Sequence, residues 1–182
     1  AVVGDLGARF RITSTSNPAA TGASGNGEVE DHLVTVQPAL SIGNLVWNDL
    51  NNNGVKDATE SGLAGATVQL FRAGADNLAN TGDDVQVGAA LTTNATGAYS
   101  FSILAPAKYF VKVTPPAGGF IASGTPATTD NNVDNNNDGT QPGVIGTAMF
   151  SPVIDLAVNA ESITDGDTDP NSNFTVDFGL FS

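Results

Sequence analysis

The stretch Asp49-Leu50-Asn51-Asn52-Asn53-Gly54-Val55-Lys56-Asp57-Ala58-Thr59-Glu60 puts oxygen-bearing side chains at alternate positions, then a glycine, then a closing acid. This is the calcium-loop pattern D-x-[DN]-x-[DN]-G-x5-E over its full length. Calcium takes six to eight oxygens at about 2.3–2.6 Å, and alternate residues of a tight loop can aim carboxylate or amide oxygens at one point. Asp49, Asn51 and Asn53 would give the first three ligands, and Gly54 permits the sharp turn. The Val55 carbonyl would add another, Asp57 would act through water, and Glu60 would close the shell with both oxygens. The competing reading is a solvated Asn/Asp turn.

A second acidic tract runs from Asp130 through Asn132, Asp134 and Asn136 to Asp138 and Gly139. Asp134, Asn136, Asp138 and Gly139 repeat the opening spacing of the first loop, but the twelfth position is Ile145, so the closing acid must come from elsewhere. Asp165, Asp167 and Asp169 are the expected donors. Without a cation these carboxylates would repel one another and raise their own pKa values; calcium removes that repulsion. The alternative is a disordered polar loop. A third candidate, Asp76 with Asp83 and Asp84, reads equally as a calcium site or as a charged hairpin tip.

Other chemistry finds less support. Paired acids can hydrolyse glycosides, but these lie in Asn/Gly-rich loops with metal-ligand spacing, and nothing marks an apolar pocket that would raise one pKa. The lone His32 follows Asp31 on an expected strand, where neighbours face opposite ways and make a poor catalytic pair. The single Trp, Trp47, beside Val46, reads as core rather than as a sugar platform. Six Lys and Arg against 19 Asp and Glu give a net charge of −13, which argues against nucleic acid and anionic membranes. No apolar run approaches the roughly 18–20 residues of a spanning helix. The absence of cysteine removes disulfides and Cys-based metal sites.

The elements that must hold these loops are strands. Apolar residues recur with period two, and no helical stripe stands out. Strands are expected at Ile42–Asn48, Ala66–Leu70, Val85–Thr92, Tyr99–Ile103, Tyr109–Val113, Val153–Val158 and Phe174–Leu180. Several short strands joined by turn-rich loops indicate an all-β sandwich. Residues 1–38 add two strands, Arg9–Thr13 and Val29–Val36, joined by a Ser/Asn/Gly/Ala-rich connection, with Gln37-Pro38-Ala39 as a linker. The expected domains are therefore 1–38 and 39–182. Two strands alone are marginal in water, so they must dock in cis, belong to a truncated neighbour or complete a sheet in another molecule.

Ser41-Ile42-Gly43-Asn44-Leu45-Val46-Trp47-Asn48-Asp49, continued through Glu60-Ser61-Gly62-Leu63-Ala64-Gly65-Ala66-Thr67-Val68, resembles the B domains of serine–aspartate repeat surface proteins. The likeness continues in Thr96–Phe101, Tyr109–Gly118, the 130–139 tract, Asp165–Asn171 and Val176-Asp177-Phe178-Gly179-Leu180. These SdrD B-like modules belong to a prealbumin-like, Cna B-type superfamily. The resemblance implies a prealbumin-like β-sandwich with calcium-binding loops, placed outside the cell or on a bacterial surface. It further implies a stalk, spacer or filament role. Some relatives carry a Lys–Asn isopeptide bond; Ile42–Asn48 holds no Lys, so none is expected. Gly27-Glu28-Val29-Glu30-Asp31-His32-Leu33-Val34-Thr35-Val36 resembles the end of a GEVED domain. That likeness suggests that residues 1–38 donate strands head-to-tail to an adjacent subunit. An adhesin-type module for a host protein or sugar ranks second, and a secreted hydrolase third.

Overall fold

The computed structural model describes residues 3–14, 21, 27–124, 126 and 132–182. Contacts divide the chain into two units, Ala1–Pro38 and Ala39–Ser182. In the first, β1 (Gly4–Thr13) and β2 (Gly27–Val36) form an antiparallel hairpin whose register runs without a shift from Gly4 opposite Val36 to Thr13 opposite Gly27. Directly opposed residues share a face. Leu6, Ala8, Phe10 and Ile12 therefore lie on one side with Val34, while Asp5, Arg9 and Arg11 lie on the other. The Arg9 guanidinium grips Asp31 through two bonds of 2.6 and 2.7 Å. His32 instead lies against the edge of Phe10 and 3.2 Å from Glu30, so Asp31 and His32 do face apart.

The second unit contains β3 (Leu40–Asn48), β4 (Thr67–Arg72), β5 (Val85–Thr92), β6 (Ala98–Leu104) and β7 (Ala107–Thr114). Five shorter strands complete it: β8 (Ile121–Ala122), β9 (Met149–Phe150), β10 (Ile154–Leu156), β11 (Ser172–Asn173) and β12 (Phe178–Phe181). One sheet has the order β10-β7-β4-β5, with β9 also on β7. The other has the order β11-β3-β12-β8, with β6 on β3. Among the described residues there is no helix. The chain is all-β, and its second unit is a prealbumin-like sandwich.

The alternation read from the sequence fills the space between the sheets. Val68, Leu70, Tyr109, Val111, Val113, Met149, Ile154 and Leu156 from one sheet meet Leu40, Ile42, Val46, Tyr99, Phe101, Phe178 and Leu180 from the other. Each large apolar side chain so buried contributes about 1.5–3 kcal/mol relative to exposure. Trp47 is also fully buried, but it turns to the far side of β3, where it packs on Gly179. A Cβ at Gly179 would come within 2.7 Å of the indole.

Two strand expectations need correction. Ile103 does not continue the inward series of Tyr99 and Phe101. It is 86% exposed and has a φ of 59°. β3 advances two residues, from Leu40 to Ile42, while β6 spans three, from Leu104 back to Phe101; the bulge throws Ile103 outward and turns Leu104 in. The run 174–180 is not one strand either. It touches β3 twice in parallel, first through Ser172 and Asn173 and then from Phe178 onward. Between them the regular ladder breaks: Val176 alone keeps hold of β3, its N–H on the Gly43 carbonyl and its own carbonyl taking Asn44 N–H, and Asp177 sits in that break.

Candidate metal centres

The first loop leaves β3 at Asn48 and closes on it again, because Asn48 N–H donates to the Ser61 carbonyl and Leu63 N–H to that of Val46. Inside this clasp the Asp49 carboxylate is fully buried and collects backbone donors. Oδ2 accepts Gly54 N–H at 2.8 Å, and Oδ1 accepts those of Asn51 and Asn53 at 3.2 and 3.3 Å. The fold of the loop depends on Asn52 and Gly54 at φ 57° and 75°, a region that asparagine and glycine tolerate best. Burial alone would raise the Asp49 pKa, but the donors at Gly54, Asn52 and Asn53 outweigh it and hold the acid ionised below its usual range. Glu60, also buried, accepts Leu50 N–H on Oε1 at 2.8 Å and Asp57 N–H on Oε2 at 3.0 Å. Asn51 and Asn53 are exposed, and their amide nitrogens turn to Asp57 at 2.8 and 3.2 Å. The exposed Val55 lies on the same loop. Hydrogen bonds thus tie Asp49, Asn51, Asn53, Asp57 and Glu60 together within one loop.

The second tract is stitched to the first. Lys56 N–H donates to the Asn135 carbonyl and Asn137 N–H to that of Gly54, both at 2.8 Å, so Val55 and Asn136 form an antiparallel bridge. Asn137 is buried, and its side chain bonds the carbonyls of Ser123 and Gly139. Of the expected ligands here, Asp130 lies outside the described residues, and Asn132 is exposed with a φ of 49°. Asp134 is half-buried, and Asp138 is buried. The 165–169 loop comes to the same place, since a methyl group on Gly166 would stand 3.0 Å from Asp134 Oδ2. Asn136 Oδ1 and Asp165 Oδ1 are buried and accept no hydrogen bond among the described residues. Asp167 and Asp169 instead hold their own loop, accepting Asp169 N–H at 2.8 Å and Asn171 N–H at 3.0 Å.

One residue of this constellation escaped the sequence reading. Asp177 is fully buried, accepts Leu45 N–H at 3.0 Å and Asn135 N–H at 2.8 Å, and donates its own N–H to Asp138 Oδ2 at 2.8 Å. Burial, joined by the charges of Asp134 and Asp138, pushes its pKa well above the usual carboxylate range; the Asn135 donor offsets this only in part. Asp134 and Asp138 thus lie close enough to the buried Asp177 for their charges to act on it, and the ligand atoms that the side chains around them offer are oxygens alone. That donor set fits a hard divalent cation.

The third candidate does gather: ligand oxygens of Asp76, Asp83 and Asp84 lie within 4.8 Å of one another. All three are committed to the turn. Asp83 accepts Ala75 N–H and the Thr81 hydroxyl, Asp84 accepts Gly74 and Thr81 N–H, and Asp76 accepts Leu78 N–H. Led by the Thr81 hydroxyl, these donors hold the Asp83 pKa below its usual value.

The residues that make these loops fall within one known pattern, since the profile of the SdrD B-like domain matches residues 40–180. The chain belongs to the SdrD B-like domain family. Among similar proteins, Colossin-A of Dictyostelium discoideum is 36% identical over 141 residues, 78% of this chain and 1% of its own length. Colossin-B of the same organism is 38% identical over 81 residues, 44% of this chain and 2% of its own. Serine-aspartate repeat-containing protein D of Staphylococcus aureus is 30% identical over 123 residues, 67% of this chain and 8% of its own. The chain therefore spans a small fraction of the length of these relatives. The matched region of this SdrD B-like domain contains all three candidate centres and Asp177. It leaves residues 1–38 outside.

Proposed function

We propose that this chain is an extracellular, cell-surface structural module, a stalk, spacer or filament subunit, whose acidic loops are clamped by calcium. The observation that carries the reading is the pair of buried oxygens without donors, Asn136 Oδ1 and Asp165 Oδ1, since a buried acceptor without a partner costs about 1–3 kcal/mol unless something fills it. Family membership supports the structural role, and the acidic, oxygen-only donor set supports the ion. Asp49, Asn51, Asn53, the Val55 carbonyl, Asp57 and Glu60 would hold one calcium. Asp134, Asn136, Asp138 and Asp165 would hold another, with Asp177 beside them; Asp130, Asn132, Asp167 and Asp169 are the further candidates that the sequence offers for it. Asp76, Asp83 and Asp84 form the third place to test. Bound calcium supplies positive charge and fixed oxygen geometry where the chain has only acids.

The mechanism is ligand linkage. An ion bound by the folded state alone adds RT ln(1 + [L]/Kd), so an extracellular-type loop with Kd near 10⁻⁴–10⁻³ M gains about 1 kcal/mol in millimolar calcium. Several such sites matter against a total stability of about 5–15 kcal/mol. Trp47, two residues before Asp49 and the single Trp of the chain, supplies the experiment. Terbium luminescence excited through Trp47 should rise on binding and fall when calcium competes. Calcium without effect on that signal rejects the site.

A second reading, recognition of a host protein or sugar, is favoured by the outer face of the β4–β7 sheet. Phe71 stacks on Phe110 with centroids 5.2 Å apart, Phe150 adjoins them, and the Lys112 ammonium lies about 6 Å from two of these rings. A groove of about 390 Å³ opens beside them between Pro142, Phe150 and Pro152. Glycan-array or plasma-protein binding that is lost on Phe150→Ala separates this reading from the purely structural one.

A further inference from the structure

Asn53 and Gly54 form one of the two Asn–Gly pairs in the chain, the other being Asn26–Gly27. Such a pair can react with itself, because glycine lacks the Cβ that would hinder its amide nitrogen and an intramolecular attack needs no encounter. The fold treats the two halves of the 53–54 pair differently. Asn53 is exposed, but Gly54 is buried. The Gly54 N–H donates to the Asp49 carboxylate at 2.8 Å. The Gly124 backbone covers the same nitrogen, so that a Cβ on Gly124 would stand 2.4 Å from it. The Asn53 amide is pinned at both ends: Oδ1 accepts Val55 N–H at 2.8 Å, and Nδ2 donates to Asp57 at 3.2 Å.

The atoms fix the reaction that these contacts oppose. The Gly54 nitrogen must lose its proton and attack Cγ of Asn53. The new N–Cγ bond closes a succinimide ring as the Cγ–Nδ2 bond breaks, and the proton leaves with the amine as ammonia. Water then opens the ring at either carbonyl, leaving aspartate or β-linked isoaspartate at position 53. An N–H given to a carboxylate is held by a charge-assisted bond, and a buried one meets no base from solvent. The first step therefore waits for the loop to open. In the isoaspartate product the main chain runs through the side chain, which lengthens the backbone before Gly54. That displaces the Gly54 carbonyl and the Lys56 N–H, the two groups that bond Asn137 and Asn135, so the second acidic tract is released with the first loop.

We propose that Asn53 is a self-modifying site, converted through a succinimide to aspartate and isoaspartate, and that the Asp49 carboxylate is the brake on that reaction. Asp49 holds the attacking nitrogen, and Gly124 shields it. The pair records how long the loop has stood open, and the loss of ammonia makes the record irreversible. The brake consists of the chain's own hydrogen bonds, so it acts apart from any bound ion.

Peptide mapping of the full chain after incubation in mildly alkaline buffer reads the site. All samples carry EDTA and stay below the calcium-free Tm, which separates this test from that of calcium. In urea, incubation runs until Asn26 has converted; Asn53 should convert as well, with isoaspartate detected by an isoaspartyl methyltransferase. Asn53 left intact there overturns the site. Without urea, conversion at Asn53 should slow at least about tenfold, and an equal rate overturns the protection. Asp49→Asn should raise that native rate about tenfold or more, since it removes the charge-assisted bond to Gly54 N–H. Glu60→Gln loosens the same loop at Leu50 and Asp57 but leaves that bond, and should raise the rate far less. An equal rise, or no rise with Asp49→Asn, overturns the brake. Where Asp49→Asn does not fold, amide hydrogen exchange in the wild type reads the same bond. Gly54 N–H exchanging at least about tenfold more slowly than in the unfolded chain supports the brake, and exchange at the unfolded rate overturns it.

Discussion

Asp49→Asn tests the first loop with almost no change in shape. The wild-type carboxylate accepts three N–H groups. An asparagine can keep the two on Oδ1 but turns an NH2 toward Gly54 N–H, which is lost as a charge-assisted bond at a cost of about 1.5–3 kcal/mol. Without calcium the variant should therefore lose about 2 kcal/mol, or about 8 °C in Tm at roughly 4 °C per kcal/mol for a unit of this size. With calcium it also forfeits the linkage of this site, about 1 kcal/mol or a further 4 °C. The assay is a set of four melts, wild type and variant, each with EDTA and with millimolar calcium. The quantity to read is the difference between the two calcium-induced shifts, which cancels the lost hydrogen bond. A variant that gains as much from calcium as wild type does would refute the assignment of Asp49 as a ligand.

The Asp177 carboxyl has a pKa raised well above the unfolded value of about 3.9. The folded state then holds this proton more tightly, so calcium-free stability falls as pH rises from about 4 through the folded pKa. Calcium-free Tm should thus increase when pH is lowered from 7 to 5, and saturating calcium should abolish the increase; a calcium-free Tm that falls over that range contradicts this. Asp49, with a lowered pKa, contributes in the opposite sense and is lost only as pH falls below about 4. Tyr99→Phe removes a buried 2.6 Å bond to the Val176 carbonyl, which keeps Asn44 N–H as its other donor, and should cost about 1 kcal/mol in urea melts; a variant as stable as wild type contradicts this. Gly97→Ala combines a φ of 78° with a Cβ 2.1 Å from the Val46 carbonyl and should lower urea stability by about 1–3 kcal/mol. Calorimetric stoichiometry that is unchanged by Asp76→Asn with Asp84→Asn assigns the 76–84 turn to structure rather than calcium.

The core was legible because its strands are half-buried, and burial on one face writes period two into Val68–Leu70, Tyr99–Phe101 and Tyr109–Val113. The 49–60 loop was legible as a tight, hydrogen-bonded turn because its candidate ligands alternate within twelve residues, so spacing alone marks it. Asp177 was not. It sits in an alternating run that reads as one strand, and only the break after β11 turns it inward beside Asp134 and Asp138, which lie some 40 residues earlier in the chain. Ile103 escaped for a related reason: a bulge changes which face a residue takes without changing the alternation around it. Phe110 shows the same limit on the other side of the sheet. It alternates outward yet is buried, because Phe71 and Phe150 pack over it from strands that the sequence does not place beside it.

The most direct measurement is an anomalous difference map from crystals grown with calcium, collected where calcium scatters anomalously. The account predicts a peak inside the 49–60 loop, with Asp49 and Glu60 oxygens at about 2.3–2.6 Å, and a second among Asp134, Asn136, Asp138 and Asp165. A map without a peak between Asp49 and Glu60, their carboxylates bonded only to backbone and water, would contradict it.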